Sequence, residues 1–368
     1  QKAPPDVKTD EIKEDPLPLK PEGKIEFTTD EGSWLSLDVS PDGRTIVFEL
    51  LGDIYTLPFE GGDAVNIAPG MSFDSQPAFS PDGATIAFLS DRSGNENLWL
   101  MDADGQNPRA VTKGARSKFV SPTWTPDGNY VIASRTSGRA VNSLWLYHKD
   151  GGSGIEMVKS RAATPDGGAA PAAKSSLGAV VSPDGRYVFF SQRTGLFSYN
   201  VTSAPYQIER FDRETGETSG VTGAQGGSMR PLLSPDGKSL VYATRFDTKT
   251  GYRIRELETG DERWLIYPVT RDDQESAATR DTMPRAAFTP DGKELVTNLD
   301  GKIVRVDVAT GATTNIPFVA KVEQDIGPRV YFESRVEEGP VQARLIRWPQ
   351  QSPDGTRLAW IRQGAAPR

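Results

Sequence analysis

The sequence repeats one four-residue phrase. [Ser/Thr]-Pro-Asp-Gly occurs with its proline at positions 41, 81, 126, 165, 183, 235, 290 and 353. Backbone chemistry makes the phrase a tight turn. The Ser or Thr hydroxyl can bond the backbone ahead of it, proline pre-sets φ at about −65°, aspartate suits the third position, and glycine accepts a positive φ. Seven of the eight copies lead into strand-like runs: "RTIVFEL", "ATIAFLS", "NYVIASR", "RYVFFSQ", "KSLVYAT", "KELVTNL" and "TRLAWIR". Each of these phrases is therefore expected to join two strands of a hairpin. Asp42, Gly43, Asp82, Gly83, Asp127, Gly128, Asp184 and Gly185 then serve as turn residues, not catalytic groups. The same holds for Asp236, Gly237, Asp291, Gly292, Asp354 and Gly355. The copy at Pro165 sits in "RAATPDGGAAPAAKSS" with no strand-like run behind it, so 160–178 reads as a flexible Ala-rich loop.

Behind each hairpin comes a third strand-like run with an acidic-glycine turn, as in "GDIYTLPFEGG", "NLWLMDADG" and "KIVRVDVATG", and then a short fourth run such as "ATTNIPF". Four antiparallel strands returning every 40 to 63 residues are the signature of a propeller blade. The expected fold is all-β: a β-propeller of four-stranded antiparallel blades over residues 24–361, with about seven repeats and the last one incomplete. "KIEFTT" (24–29) is a lone strand ahead of the first hairpin, expected to supply the outer strand of the final blade and so clasp the ring. The last repeat, "RLIRWPQQSPDGTRLAWIRQGAAPR", stops after two strands, which leaves 362–368 as a tail or truncation point. Residues 1–23 form a proline-rich, charged tail. Its start at Gln1 reads as the product of signal-peptide removal, or else as a trimmed piece.

Composition narrows the chemistry. The 36 glycines and 28 prolines suit a turn-rich β fold. A net charge of −8 with no run of Lys or Arg argues against a nucleic-acid partner. No stretch reaches the roughly 20 apolar residues of a membrane helix, so no membrane span is expected. Cysteine is absent and His148 is the single histidine, which removes thiol nucleophiles, disulfides and zinc sites built on several Cys or His. No Gly-x-Ser-x-Gly elbow accompanies His148, and no phosphate loop occurs. His148 reads as a partly exposed strand-end residue, and no catalytic residue is assigned.

Carboxylates remain. The densest group lies in "TRDDQESAATRD" (270–281), an insertion between the outer strand of one blade and the inner strand of the next. Arg271, Asp272, Asp273, Gln274, Glu275 and Arg280 make it the candidate binding loop, lining or capping the central channel. Such a loop can gather the oxygen ligands of calcium, or it can be an ion-paired loop; no metal and no cofactor is assigned to this chain. In "SDRSGNENLW" (90–99), Asp91 and Arg92 are expected to brace the blade. Trp99, Trp145 and Trp264 are read as packing between blades.

The pattern "SPDG…iaF.SdrsG…lw.mdadG", fullest in residues 79–105, resembles the blade repeat of TolB-like, or WD40-like (PD40), propellers, and the resemblance runs over 24–361. "PLPLKPEGKIEFTTDEGSWLSLDVSPDG", "LWLYHKDGGSG" and "RWLIYPVTRDDQESAATRD" resemble a narrower group, the N-terminal propeller region of large secreted bacterial amidohydrolases. That resemblance implies a periplasmic or secreted bacterial protein, with a hydrolase domain as the propeller's partner and a catalytic metal held only there. The His-x-His pair that opens the metal signature of such hydrolases is not in these residues. The expected function is a non-catalytic binding and scaffolding propeller that gates or docks the hydrolase domain. Two alternatives stay open: a stand-alone TolB-like periplasmic propeller binding another envelope protein, and a propeller hydrolase using carboxylates or calcium.

Overall fold

The run Thr45–Leu50 shows how a blade starts. Its apolar residues return from the turn at residues 40–43 to pair with Leu37–Val39, and Asp53–Pro58 then pairs on its far side. In the computed structural model, which describes residues 20–114, 117–137, 141–160, 171–195, 205–275, 281–328 and 342–365, this scheme repeats six times. The blades span 37–66, 74–110, 118–158, 174–220, 229–266 and 287–316, each with four antiparallel strands in sequence order. No helix occurs among the described residues, and so none there is long and apolar enough to cross a membrane.

The turns are held as the sequence suggests, with one addition. In the first copy the Ser40 hydroxyl donates to Asp42 Oδ1 (2.6 Å) and accepts from the Thr45 N–H (2.9 Å). Asp42 Oδ1 accepts from the Arg44 N–H (3.1 Å), and the Gly43 N–H closes the turn on the Ser40 carbonyl (2.8 Å). Gly43 has φ +72°, a conformation that suits glycine alone at low cost. The hydroxyl donated at the first position, with the N–H two residues on, holds the carboxyls of Asp42, Asp82, Asp127, Asp184, Asp236, Asp291 and Asp354 below the usual aspartate range. The addition lies between blades. Where a Cβ would stand on Gly83, Gly128, Gly237 and Gly292, the neighbour is the proline of the preceding turn: Pro41, Pro81, Pro183 and Pro235. Gly43 seats on Pro290 in the same way, at 3.4 Å, so five of the six ring turns meet the proline before them, and Gly185 meets Arg213 instead.

Six apolar clusters fill the six seams. Val47 and Ile54 of blade 1 meet Ile86 and Phe88 of blade 2; at the closing seam Val296, Ile303 and Ile316 of blade 6 meet Phe48, Tyr55 and Leu57 of blade 1. Each such side chain contributes about 1.5–3 kcal/mol on burial. Trp99 packs against the first of these clusters and Trp145 against the seam between blades 2 and 3. Backbone bonds also cross the closing seam, from Leu37 N–H to Arg285 C=O (3.0 Å) and from Gly32 N–H to Gly301 C=O (2.9 Å).

The ring therefore closes with six blades. The seventh turn belongs to a two-stranded hairpin, Gln342–Gln351 with Leu358–Ala365, within a separate compact unit that starts at Pro328. A repeat count in sequence registers every copy of a turn, whereas closure depends on which inner strands meet. The clasp also differs from expectation. Gly23–Thr29 does not join the final blade; it pairs antiparallel with Phe318–Ile326, which itself adds in parallel to Gly62–Asn66, the outer strand of blade 1. Pro317, which has no N–H to offer a ladder, ends the last blade strand at Ile316 and lets the chain step across to blade 1. Finally, the strand Lys174–Val181 begins inside the segment read as an Ala-rich loop, of which 161–170 lie outside the described residues.

Candidate functional site

Five residues before the proline of each ring turn stand Ser36, Gln76, Ser121, Gly178, Arg230 and Arg285. Four of these inner-strand positions leave the β conformation, with φ of +53° at Gln76, +58° at Ser121, +64° at Gly178 and +53° at Arg230, and the ladder register shifts at each of the four. Such bulges re-aim side chains, and here they converge on the ring axis. Arg285 of blade 6 donates to the Pro122 carbonyl of blade 3, diametrically across the ring (2.8 Å), and pairs with Asp38 of blade 1 (3.3 Å). Arg230 donates to Asp281 Oδ2 (2.6 Å), which also accepts from the Ser121 hydroxyl. Asp281 Oδ1 accepts from the Thr282 N–H (2.6 Å). The Ser121 N–H donates to Gln76 Oε1 (2.7 Å), and the Gln76 N–H to Glu49 Oε2 (2.6 Å). Asp281 and Arg230 are 3% and 5% exposed, so a buried, ion-paired plug occupies the channel.

The plug is delivered by the insertion at 270–281, but not through the residues singled out from sequence. Asp272 is buried and accepts from Arg245 through both oxygens (2.8 and 2.6 Å) and from the Thr250 hydroxyl. Glu275 binds the other edge of the same guanidinium (2.7 Å), which holds its carboxyl below the usual range. The Asp273 N–H donates to Thr282 C=O (2.8 Å), and the Gln274 carbonyl accepts from Arg193 (2.9 Å). Arg271 is exposed. Arg280 lies outside the described residues. The loop carboxylates thus fasten the insertion to blade 5, and Asp281, at its end, enters the axis. Among the described residues no three His, Cys, Asp or Glu side chains gather as a metal site. The plug residues Gln76, Ser121, Arg230 and Arg285 carry a sequence signal: with Ser36 they place a polar side chain five residues before the proline of five of the six ring turns, Gly178 being the exception.

A second feature lies at the ends of the strands opposite the ring turns. A cavity of 610 Å³ opens where blade 1 meets blades 2 and 6, lined by Trp34, Leu51 and Phe73 among others. Asp91 and Arg92 brace its rim, Asp91 by accepting from the Phe73 N–H (2.8 Å) and Arg92 by pairing with Asp74 (2.6 Å). Beside it Asp53, 1% exposed, accepts amide protons from Asn66 (2.8 Å) and Gln324 (3.0 Å). Burial first, then the nearby Asp74 charge, pushes the Asp53 carboxyl up to about 7. Between its ordinary pKa and that value the folded state holds a proton that the unfolded chain has lost. This contribution to stability is therefore full at acid pH and falls as pH rises through about 7. Asp53→Asn is expected to raise stability by about 2–4 kcal/mol at pH 8, with a gain that shrinks toward pH 4; thermal melts of both proteins across that range check it. His148 ends its strand with a 42% exposed side chain beside Asp150.

Comparison with known proteins agrees with this geometry. Residues 22–196 match the PD40 family model, described as TolB beta propeller domain. An uncharacterized protein of Agrobacterium fabrum is 26% identical over 266 residues, covering 70% of this chain and 81% of its own. The uncharacterized peptidase YuxL of Bacillus subtilis is 26% identical over 193 residues, 52% of this chain but 25% of the peptidase, so the chain spans about a quarter of that relative. The crystal structure of TolB from Acinetobacter baumannii superposes with a TM-score of 0.56 at 16% identity, over 79% of this chain and 68% of that one. Fold and turns define a six-bladed β-propeller, and its first half is similar to the TolB beta propeller domain. The PD40 repeat is matched across 22–196, and the same blade geometry runs on to residue 316.

Proposed function

We propose that the ring is a protein-interaction module without chemistry of its own, acting in an exported bacterial protein by docking or gating a hydrolase domain. The observation that carries the reading is the contrast between the axis and the open end. The axis is filled by buried, ion-paired side chains, so a substrate would have to displace that network to reach it. The cavity beside it keeps Leu51 and Phe73 in solvent at 55% and 54% exposure, as surfaces that await a partner do. The likeness to the peptidase YuxL, of which the match covers 25%, supports a ring joined to a larger enzyme. The resemblance of residues 16–43 to the propeller region of secreted amidohydrolases supports an enzyme of that class. Reading the coding sequence beyond Arg368 tests this. An open frame running into a domain with a His-x-His pair supports the hydrolase partner; a stop codon there overturns it and leaves an interaction ring that binds a separate envelope protein.

A further inference from the structure

We infer that the cavity at the mouth of blade 1 takes a cationic, partly apolar segment of a partner polypeptide: a lysine or arginine next to an aromatic or aliphatic residue. This rests on the interaction-module reading and adds the chemistry of what is bound. The floor is apolar, formed by Phe27, Trp34, Leu51 and Phe73. Around it stand Glu31, Glu49, Asp74 and Asp300, and no Lys or Arg is among the lining residues. The two cations nearby pair with carboxylates of this rim, Arg92 with Asp74 Oδ2 (2.6 Å) and Lys302 with Asp30 (2.9 Å) and Glu31 (3.5 Å), so with Asp30 the rim carries five carboxylates against two cations. That acidic excess around an apolar floor disfavours an anionic partner and complements a cation whose stem or neighbour is apolar.

Leu51 holds φ +55° in the two-residue turn that joins Thr45–Leu50 to Asp53–Pro58, and this leaves its side chain exposed. Next to it Gly52, at φ +88°, has the Phe73 ring where a Cβ would stand (2.9 Å), so the turn and the ring form one continuous apolar wall. At 610 Å³ the space falls within the range of about 300–1,000 Å³ typical of ligand sites.

The test uses two fluorescein-labelled hexapeptides, Gly-Arg-Trp-Lys-Leu-Gly and its charge-reversed counterpart Gly-Glu-Trp-Asp-Leu-Gly, titrated with the full chain by fluorescence anisotropy. The cationic peptide is expected to bind at least about tenfold more tightly than the acidic one. Asp300→Lys and Phe73→Ala should each weaken it about fivefold or more, while Glu258→Lys, the same change of charge sign in an exposed turn at the far end of blade 5, leaves it unchanged. Thermal melts confirm that each variant is folded. Equal binding of both peptides, or cationic binding that ignores Asp300→Lys and Phe73→Ala, overturns the assignment of this cavity but leaves an interaction module in place. Binding of neither peptide overturns the cavity's proposed ligand class, and the module itself is then judged by the coding sequence beyond Arg368.

Discussion

Asp281→Ala is expected to lower the stability of the ring by about 3–5 kcal/mol, the usual cost of removing one partner of a buried ion pair. The carboxylate receives Arg230 and Ser121 on one oxygen and the Thr282 N–H on the other. Without it, a guanidinium 6% exposed is left with no counter-charge. Most of the effect is thus the cost of that stranded charge, and a second substitution separates the two. In the Arg230→Met, Asp281→Ala double variant neither member of this pair is left stranded, and much of the loss should be recovered. Urea midpoints of the wild type, both single variants and the double variant check this. A loss under about 1 kcal/mol for Asp281→Ala would mean that the axis is open to water, not plugged.

Phe318→Ala is expected to cost a similar amount, about 3–5 kcal/mol, for a different reason. Phe318 is 3% exposed and meets Phe48 edge-on, with centroids 5.3 Å apart, in the cluster that joins blade 6 to blade 1. Its strand alternates inward Phe318, Ala320 and Val322 with outward Val319 and Lys321. It is also the link through which Gly23–Thr29 reaches the sheet of blade 1. A cavity at Phe318 therefore loosens the latch as well as the seam. Val319→Thr, one residue along and 45% exposed, should change stability by less than about 0.5 kcal/mol.

The blade was legible in the sequence because it is local. A turn phrase, a strand on either side and an acidic-glycine turn all fall within a few dozen residues, and backbone chemistry decides each of them. What escaped depends on residues far apart in the chain. Asp272 meets Arg245 across 27 positions and Asp281 meets Ser121 across 160, and no spacing rule announces either pair. The glycine of each ring turn needs φ near +70°, which the turn itself predicts; the seat that five of the six find on the preceding proline is a contact between blades. The acidic insertion ends at Asp281, which enters the axis, while its densest carboxylates fasten the loop to blade 5. A better signal was the recurrence of Ser36, Gln76, Ser121, Arg230 and Arg285 at one offset from the turn proline. Pro317, likewise, marked where the last blade ends and the latch begins.

Closure of blade 6 onto blade 1 is the central claim, because the cavity is built from Glu31, Trp34 and Leu51 on one side and Asp300 and Gly301 on the other. Lys302 Nζ lies 2.9 Å from Asp30 and 3.5 Å from Glu31 across that seam, close enough for a zero-length bond. The most direct test is carbodiimide coupling of the dilute native chain, followed by mass spectrometry of its proteolytic peptides. Six-bladed closure predicts an intramolecular amide from Lys302 to Asp30 or Glu31. No such peptide, with Lys302 joined instead to acidic residues of the hairpin such as Asp354, would place a seventh element between the blades and contradict the account.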